Sequence, residues 1–190
     1  MKEQNRSMPD ERKLLILDLD ETLIYASEEK LKQEPSFHYD RYYVYQRPGL
    51  ELFLTGISDH YQLAVWSSAD DRYVNEIISL ITPPGISWAF TWGRSRCSWK
   101  RDYVFDTYCF EKRLDKLKKK GFCMEQILIV DDSPEKTRNN YGNAIYIQAF
   151  TGDPADEELL HLYQYLLSIK DIENVRGVEK RGWRSRSADH

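Results

Sequence analysis

The chain has 190 residues, a length that favours one domain with at most a small insertion. Lys and Arg total 27 against 31 Asp and Glu, for a net charge of −4, which excludes a global pull toward nucleic acid or anionic membrane. No apolar stretch approaches the length of a spanning helix, and Cys97, Cys109 and Cys123 form no CxxC pair, which argues against a disulfide framework or a zinc knuckle.

In chain order, residues 1–12 read as a disordered lead-in. Their polar run lacks the apolar core of a secretory leader, so a cytoplasmic protein is expected, with the nucleus as the alternative in a eukaryote. Lys13–Leu17 is a short continuous apolar run, the pattern of a buried parallel strand. Residues 25–40 are a polar excursion, and Arg41–Gln46, rich in Tyr and Val, reads as a strand or hairpin arm. Pro48 suits a helix first turn, with LELFLTGI following. Tyr61–Trp66 is a second buried strand. Asp70–Leu80 is a helix with Val74, Ile77 and Ile78 on one face, stopped by Thr82-Pro83-Pro84-Gly85. Residues 82–109 read as a small β insertion, aromatic and basic. Glu111–Lys120 reads as an amphipathic helix ended by Gly121. Gln126–Val130 and Ala144–Ile147 are further strands, Asp156–Ile169 is a last helix, and 171–190 is a loose polar tail.

Strands alternating with helices predict an α/β fold, a Rossmann-like three-layer sandwich around a central parallel sheet, with 13–170 as its single domain. Three of the strands run into polar clusters: Asp18 and Asp20, then Ser67 and Ser68, then Asp131 and Asp132. Ligands in such sheets sit beyond the carboxyl ends of the strands, so neighbouring strands would gather all three clusters at one edge. Two carboxylates as close as Asp18 and Asp20 resist joint ionisation unless a cation or a proton lies between them. Taken singly these residues also suit turns and caps, and Lys100, Lys116 and Lys118 rival Lys112 as the matching cation.

DLDETL at Asp18–Leu23 resembles the first motif of the haloacid dehalogenase superfamily, and the chain from Lys13 to about Phe150 is similar to its CTD-phosphatase-like branch, the NLI-interacting-factor-like phosphatases. Ser67 in VWSSAD, Lys112 in FEKRLDKL and DDSP at Asp131–Pro134 match the later motifs, at intervals of 49, 45 and 19 residues. The resemblance implies an aspartyl-phosphate phosphatase: Asp18 attacks phosphorus, Asp20 handles the proton, and Ser67 and Lys112 hold the phosphate. Mg²⁺ would sit on Asp18, the Asp20 carbonyl, and Asp131 or Asp132. Thr22, Ser68, Arg94 and Arg96 are expected to touch the substrate.

No long helical pair fits between Thr22 and the second strand, so no large cap is expected, and an open site admits a phosphorylated side chain on a protein. A phosphorylated protein or peptide is therefore the expected partner, with a small phosphoester, a nucleic-acid end, or a silent binding role as alternatives, and no membrane. DDSP in place of the branch's frequent DNSP, and Ser67-Ser68-Ala69 in place of Thr-Ala-Ser, weaken any specific assignment to the polymerase tail.

Overall fold

A computed structural model describes residues 11–102 and 107–187. The expected lead-in falls almost wholly outside them, as do Tyr103 and Phe105 of the aromatic stretch. Strand β1 (Lys13–Leu17) is followed by β2 (Ile24–Ser27), β3 (Phe37–Tyr39) and β4 (Tyr42–Gln46), then α1 (Leu50–Ser58). Next come β5 (Tyr61–Trp66), α2 (Asp71–Ile81), β6 (Trp88–Trp92), the antiparallel pair β7 (Ser98–Asp102) and β8 (Thr107–Glu111), and α3 (Asp115–Lys118). The chain continues through β9 (Ile127–Asp131), α4 (Pro134–Thr137), β10 (Ala144–Tyr146), α5 (Glu158–Ile169) and α6 (Trp183–Ser187).

Five strands form one parallel sheet in the order β10-β9-β1-β5-β6. Each strand side chain points to the face opposite its neighbour's, so β1 divides its apolar run between two cores. Leu15 and Leu17 pack with Val65, Val130 and the inner faces of α1, α2 and α5. Leu14 and Ile16 pack with Trp66, Ile129, Leu114 and Leu117 on the other side. Placing β1 in the middle brings the carboxyl ends of β9, β1 and β5 side by side, as the site requires. Residues 23–47 hold a three-stranded antiparallel sheet in the order β2-β4-β3 rather than a helical cap.

Several expectations need correction. Pro48 precedes the helix, and Gly49 at φ 76° is the residue that turns the chain into it. Trp88–Trp92 is not part of an insertion: it is the outer strand of the central sheet, paired with β5, which leaves the added structure between Arg94 and Glu111. The helix expected over Glu111–Lys120 shrinks to Asp115–Lys118. Glu111 ends β8, opposite Ser98, and the Lys112 amide donates to the Lys136 carbonyl at 2.7 Å, so the chain is still extended where Lys112 turns inward. The tail is not loose through its described part. Val175 and Trp183 are buried, Trp183 Nε1 donates to the Tyr146 carbonyl at 2.8 Å, and Lys180 Nζ donates to the carbonyls of Gly142, Val175 and Val178.

Candidate active site

Asp18 and Ser67 lie where β1 and β5 run out of partners. The Asp18 amide still reaches the Val130 carbonyl at 3.0 Å, and the Ser67 amide reaches the Trp92 carbonyl at 2.8 Å, so both residues stand on rigid strand ends. Beyond Asp18 the chain turns at once: the amides of Thr22, Leu23 and Ile24 all point to the Leu19 carbonyl. That turn forces Glu21 to φ 57°, a left-handed conformation uncommon for a side chain of this kind. Two outside groups hold it. The Phe150 amide donates to the Glu21 carbonyl at 2.7 Å, and the buried Arg47 donates to the Thr22 carbonyl at 3.1 Å.

Lys112 is the centre of the charge arrangement. Fully buried, its ammonium donates to Asp18 Oδ1 at 2.5 Å and to Asp131 Oδ2 at 2.6 Å. Burial alone would lower its pKa, but the two carboxylates outweigh that and hold it above the ordinary lysine range. Burial pushes Asp131 up to about 6 even beside Lys112, with Asp18 adding to the rise. Lys136 approaches Asp18 Oδ2 at 3.9 Å. The rival lysines are elsewhere: Lys116 donates to the Arg96 carbonyl, while Lys100 and Lys118 are exposed.

Asp20 faces a different set of partners. Tyr73, in the first turns of α2, donates to Asp20 Oδ1 at 2.6 Å, and Ser67 Oγ lies 3.4 Å from Oδ2. Burial raises its pKa. The Tyr73 and Ser67 hydrogen bonds oppose the rise without cancelling it, and the Asp18 charge adds to it. Glu21 beside it is pushed up to about 7 by burial and by its acidic neighbours.

One oxygen each from Asp18, Asp131 and Asp132 lie within 4.8 Å of one another. Asp131 has both oxygens engaged, by Lys112 and by the Ser133 amide at 2.9 Å. Asp18 Oδ2 and Asp132 Oδ1 are buried without a hydrogen-bond partner. A buried acceptor left unmatched is costly, and two carboxylate oxygens facing one gap suit a hard cation with oxygen ligands. The donor set therefore fits a divalent metal, and it favours Asp132 over Asp131 as the acid that reaches it. The Asp20 side chain stands outside this group.

The expected substrate contacts divide. Ser68 is half-buried at the rim, and Arg94 donates to its carbonyl at 2.9 Å while lying over the Phe110 ring at 5.2 Å. Arg96 faces the Trp92 ring at 5.6 Å instead. Thr22 is fully buried under the turn, as Lys112 is, with its hydroxyl lacking a hydrogen-bond partner. Tyr73, Lys136 and Arg47 escaped the sequence reading. Tyr73 and Lys136 sit in the first helical turns after the second and fourth motifs, the only local signal either gives.

The chain matches the family model described as NLI interacting factor-like phosphatase over residues 13–176. It is 31% identical over 169 residues to CTD small phosphatase-like protein 2 of Dictyostelium discoideum, covering 85% of this chain and 28% of that protein. It is 28% identical over 186 residues to nuclear envelope morphology protein 1 of Schizosaccharomyces pombe, covering 92% of this chain and 36% of that one. The chain thus spans only about a third of these relatives' length. Among solved structures, that of Fcp1, an essential RNA polymerase II CTD phosphatase, aligns with a TM-score of 0.65 at 18% identity, over 94% of this chain and 67% of that one, a likeness of fold. With the family model covering most of its length and the motif residues gathered at one sheet edge, the chain belongs to the NLI interacting factor-like phosphatase family.

Proposed function

We propose that this chain is a phosphomonoesterase that forms an aspartyl-phosphate on Asp18, uses Mg²⁺ and acts on phosphorylated protein. The observation that carries the reading is the division of labour between two carboxylates. Asp18 is held by Lys112 in a cationic environment, and Asp20 is turned away onto Tyr73 and Ser67 with a raised pKa. A nucleophile needs the first setting and a proton donor the second.

In the first step an Asp18 oxygen attacks phosphorus, the bond to the ester oxygen breaks, and Asp20 gives its proton to that leaving oxygen. In the second, Asp20, now a carboxylate, takes a proton from water as the water oxygen attacks phosphorus. Inorganic phosphate leaves and Asp18 is restored. Lys112 and Ser67 offset the charge on the phosphate oxygens through both steps. Mg²⁺ on Asp18, Asp132 and the Asp20 carbonyl would supply further positive charge where two anions must meet.

The three-stranded sheet between Ile24 and Gln46, which stands where a helical cap would and meets the site through the Tyr39–Tyr73 ring contact at 5.3 Å, supports a phosphorylated side chain on a protein as substrate. The name of the fission yeast relative favours a place at the nuclear envelope over the cytoplasm expected from the sequence, although no described helix is long and apolar enough to cross a membrane. Purified protein should hydrolyse p-nitrophenyl phosphate with Mg²⁺ and lose that activity with EDTA and as Asp18→Asn. Undiminished turnover by Asp18→Asn would overturn the mechanism. A panel of phosphopeptides, nucleotides and sugar phosphates then tests the substrate class.

A further inference from the structure

We infer that Arg94, Arg96, Lys116, Lys118, Lys119 and Lys120 form a docking surface for an acidic or multiply phosphorylated stretch of the same polypeptide that carries the scissile phosphate. The inference rests on the phosphatase reading above and names the kind of protein substrate it selects.

Charge is segregated along the chain. Residues 93–120 hold ten Lys and Arg against four Asp and Glu, in a chain whose net charge is −4. The fold then concentrates these cations. The 3-10 turn at Arg94–Arg96 and the short helix α3 meet beside Trp92: Lys116 Nζ donates to the Arg96 carbonyl at 2.7 Å, and Arg96 and Lys120 lie 5.6 and 5.4 Å from the Trp92 ring centroid. Lys118, Lys119 and Lys120 are exposed and follow Lys116 in the chain.

The nearby described carboxylates have other partners: Asp71 accepts from the Ser95 amide at 3.1 Å and hydroxyl at 2.7 Å, and Glu125, which also feels the Lys118 charge, accepts from the Cys123 thiol at 2.8 Å. Glu111 accepts from Arg138 at 2.6 Å and from Asn139 at 2.8 Å, and Asp115 faces Arg113 at 3.4 Å. The contacts that Arg94, Arg96, Lys116 and Lys120 make are with carbonyl oxygens and ring faces. Like charges gathered this way repel in the free protein, and an anionic partner would relieve them. Arginine forks and lysine ammoniums together suit carboxylate and phosphate groups.

The cluster is continuous with the catalytic centre. The Arg94 amide donates to the Ala69 carbonyl at 2.7 Å, Arg94 Nε to the Ser68 carbonyl at 2.9 Å, and the Cys97 thiol faces the Ser67 carbonyl at 3.7 Å. A chain leaving the site past Ser68 therefore passes onto the cations. Trp92, the ring beneath them, is 7% exposed and stacked on Phe90 at 4.2 Å, so it offers no face for a nucleobase. Trp99, 66% exposed and packed against the Phe110 ring under Arg94, also borders the cations, so the choice of an acidic peptide over a single-stranded nucleic acid rests on the phosphoprotein reading of the adjoining site.

The test compares phosphoserine peptides that differ only in flanking residues: neutral on both sides, acidic before the phosphoserine, or acidic after it. Wild type is expected to turn over one of the acidic peptides with kcat/KM about 5- to 20-fold above the neutral one at low salt, the gain lying in KM and falling below about 2-fold at high salt, as screened rim charges do. In the triple variant Lys118→Glu, Lys119→Glu, Lys120→Glu the ratio should fall to about one or below, with an unchanged circular dichroism spectrum. Equal kcat/KM for all three peptides in wild type would overturn the inference. So would binding to phosphatidylserine vesicles or single-stranded RNA that the triple variant loses while the peptide ratio stays at one. Wild type that fails on p-nitrophenyl phosphate itself sinks the phosphatase reading instead.

Discussion

At the level of single residues, the two carboxylates of DLDETL are chemically identical in sequence and differ only through what folds against them. Asp18 meets Lys112; Asp20 meets Tyr73. The Tyr73 bond, at 2.6 Å, fixes one Asp20 oxygen and leaves the other to face Ser67 and the site. On the proposed mechanism, Tyr73 is thus a positioning residue for Asp20 as proton donor. Its loss should matter in proportion to how badly the leaving group needs a proton. Tyr73→Phe is expected to lower kcat on a phosphoserine peptide about tenfold and on p-nitrophenyl phosphate less than about twofold, because nitrophenolate leaves without help. Equal losses on both substrates would mean that Tyr73 serves packing or substrate binding and not the proton. None of this was legible from the sequence. The partner of Asp20 lies 53 residues away, and a tyrosine in the first turns of an amphipathic helix carries no local mark of its task. Lys112 was legible only as one lysine among several. Its two carboxylate partners, 94 and 19 residues distant, are what distinguish it from the exposed lysines that follow.

At the level of elements, strands read well and connections did not. The apolar runs at Lys13–Leu17 and Tyr61–Trp66 were recognisable because a strand buried on both faces is apolar at every position, a local property. Trp88–Trp92 mixes exposed, half-buried and buried positions without the continuous apolar run of a central strand, and only its pairing with β5 assigns it to the central sheet. Glu111–Lys120 carries helical leucines at Leu114 and Leu117, yet the pull of Lys112 toward Asp18 keeps the preceding backbone extended. The catalytic turn is likewise held from afar. Arg47, with a fully buried side chain, bonds the Thr22 and Gln148 carbonyls and both oxygens of Asp156, at 2.7 and 2.8 Å, tying β4 and the segment before α5 to the turn after Asp18. Burial would raise the Asp156 pKa, but the Arg47 hydrogen bonds take it below the ordinary aspartate range. A depressed folded-state value means that the unfolded chain takes up the proton first as pH falls. The pair's contribution is therefore complete above the unfolded value of about 4 and is lost as pH drops through the folded one. Thermal melts should show Asp156→Asn well below wild type at pH 7, with the gap narrowing toward pH 3. A gap that stays constant across that range would deny the pair its electrostatic role.

At the level of the whole molecule, the acidic group is a property of the folded chain alone. Asp18 belongs to the end of β1 and Asp131 and Asp132 to the end of β9, and only the parallel pairing of those strands brings their oxygens within 4.8 Å. An ion that binds this arrangement and not the unfolded chain must stabilise the fold by linkage, about 2.7 kcal/mol at a hundredfold excess over its dissociation constant. For a domain of this size that corresponds to a rise in Tm of roughly 5–10 °C. The two unmatched oxygens, Asp18 Oδ2 and Asp132 Oδ1, decide which residues the rise depends on. Asp132→Asn should abolish most of the Mg²⁺-dependent shift while leaving the contact between Lys112 and Asp18 in place. Asp20→Asn should retain the shift, because its side chain is directed to Tyr73 and, in the proposed arrangement, only its backbone carbonyl would reach the ion. The measurement is independent of turnover, so it separates a site that holds metal from one that merely hydrolyses esters. A shift that survives Asp132→Asn but vanishes with Asp20→Asn would reverse the assignment, making the second acid of DLDETL the ligand and leaving the leaving group without its proton donor.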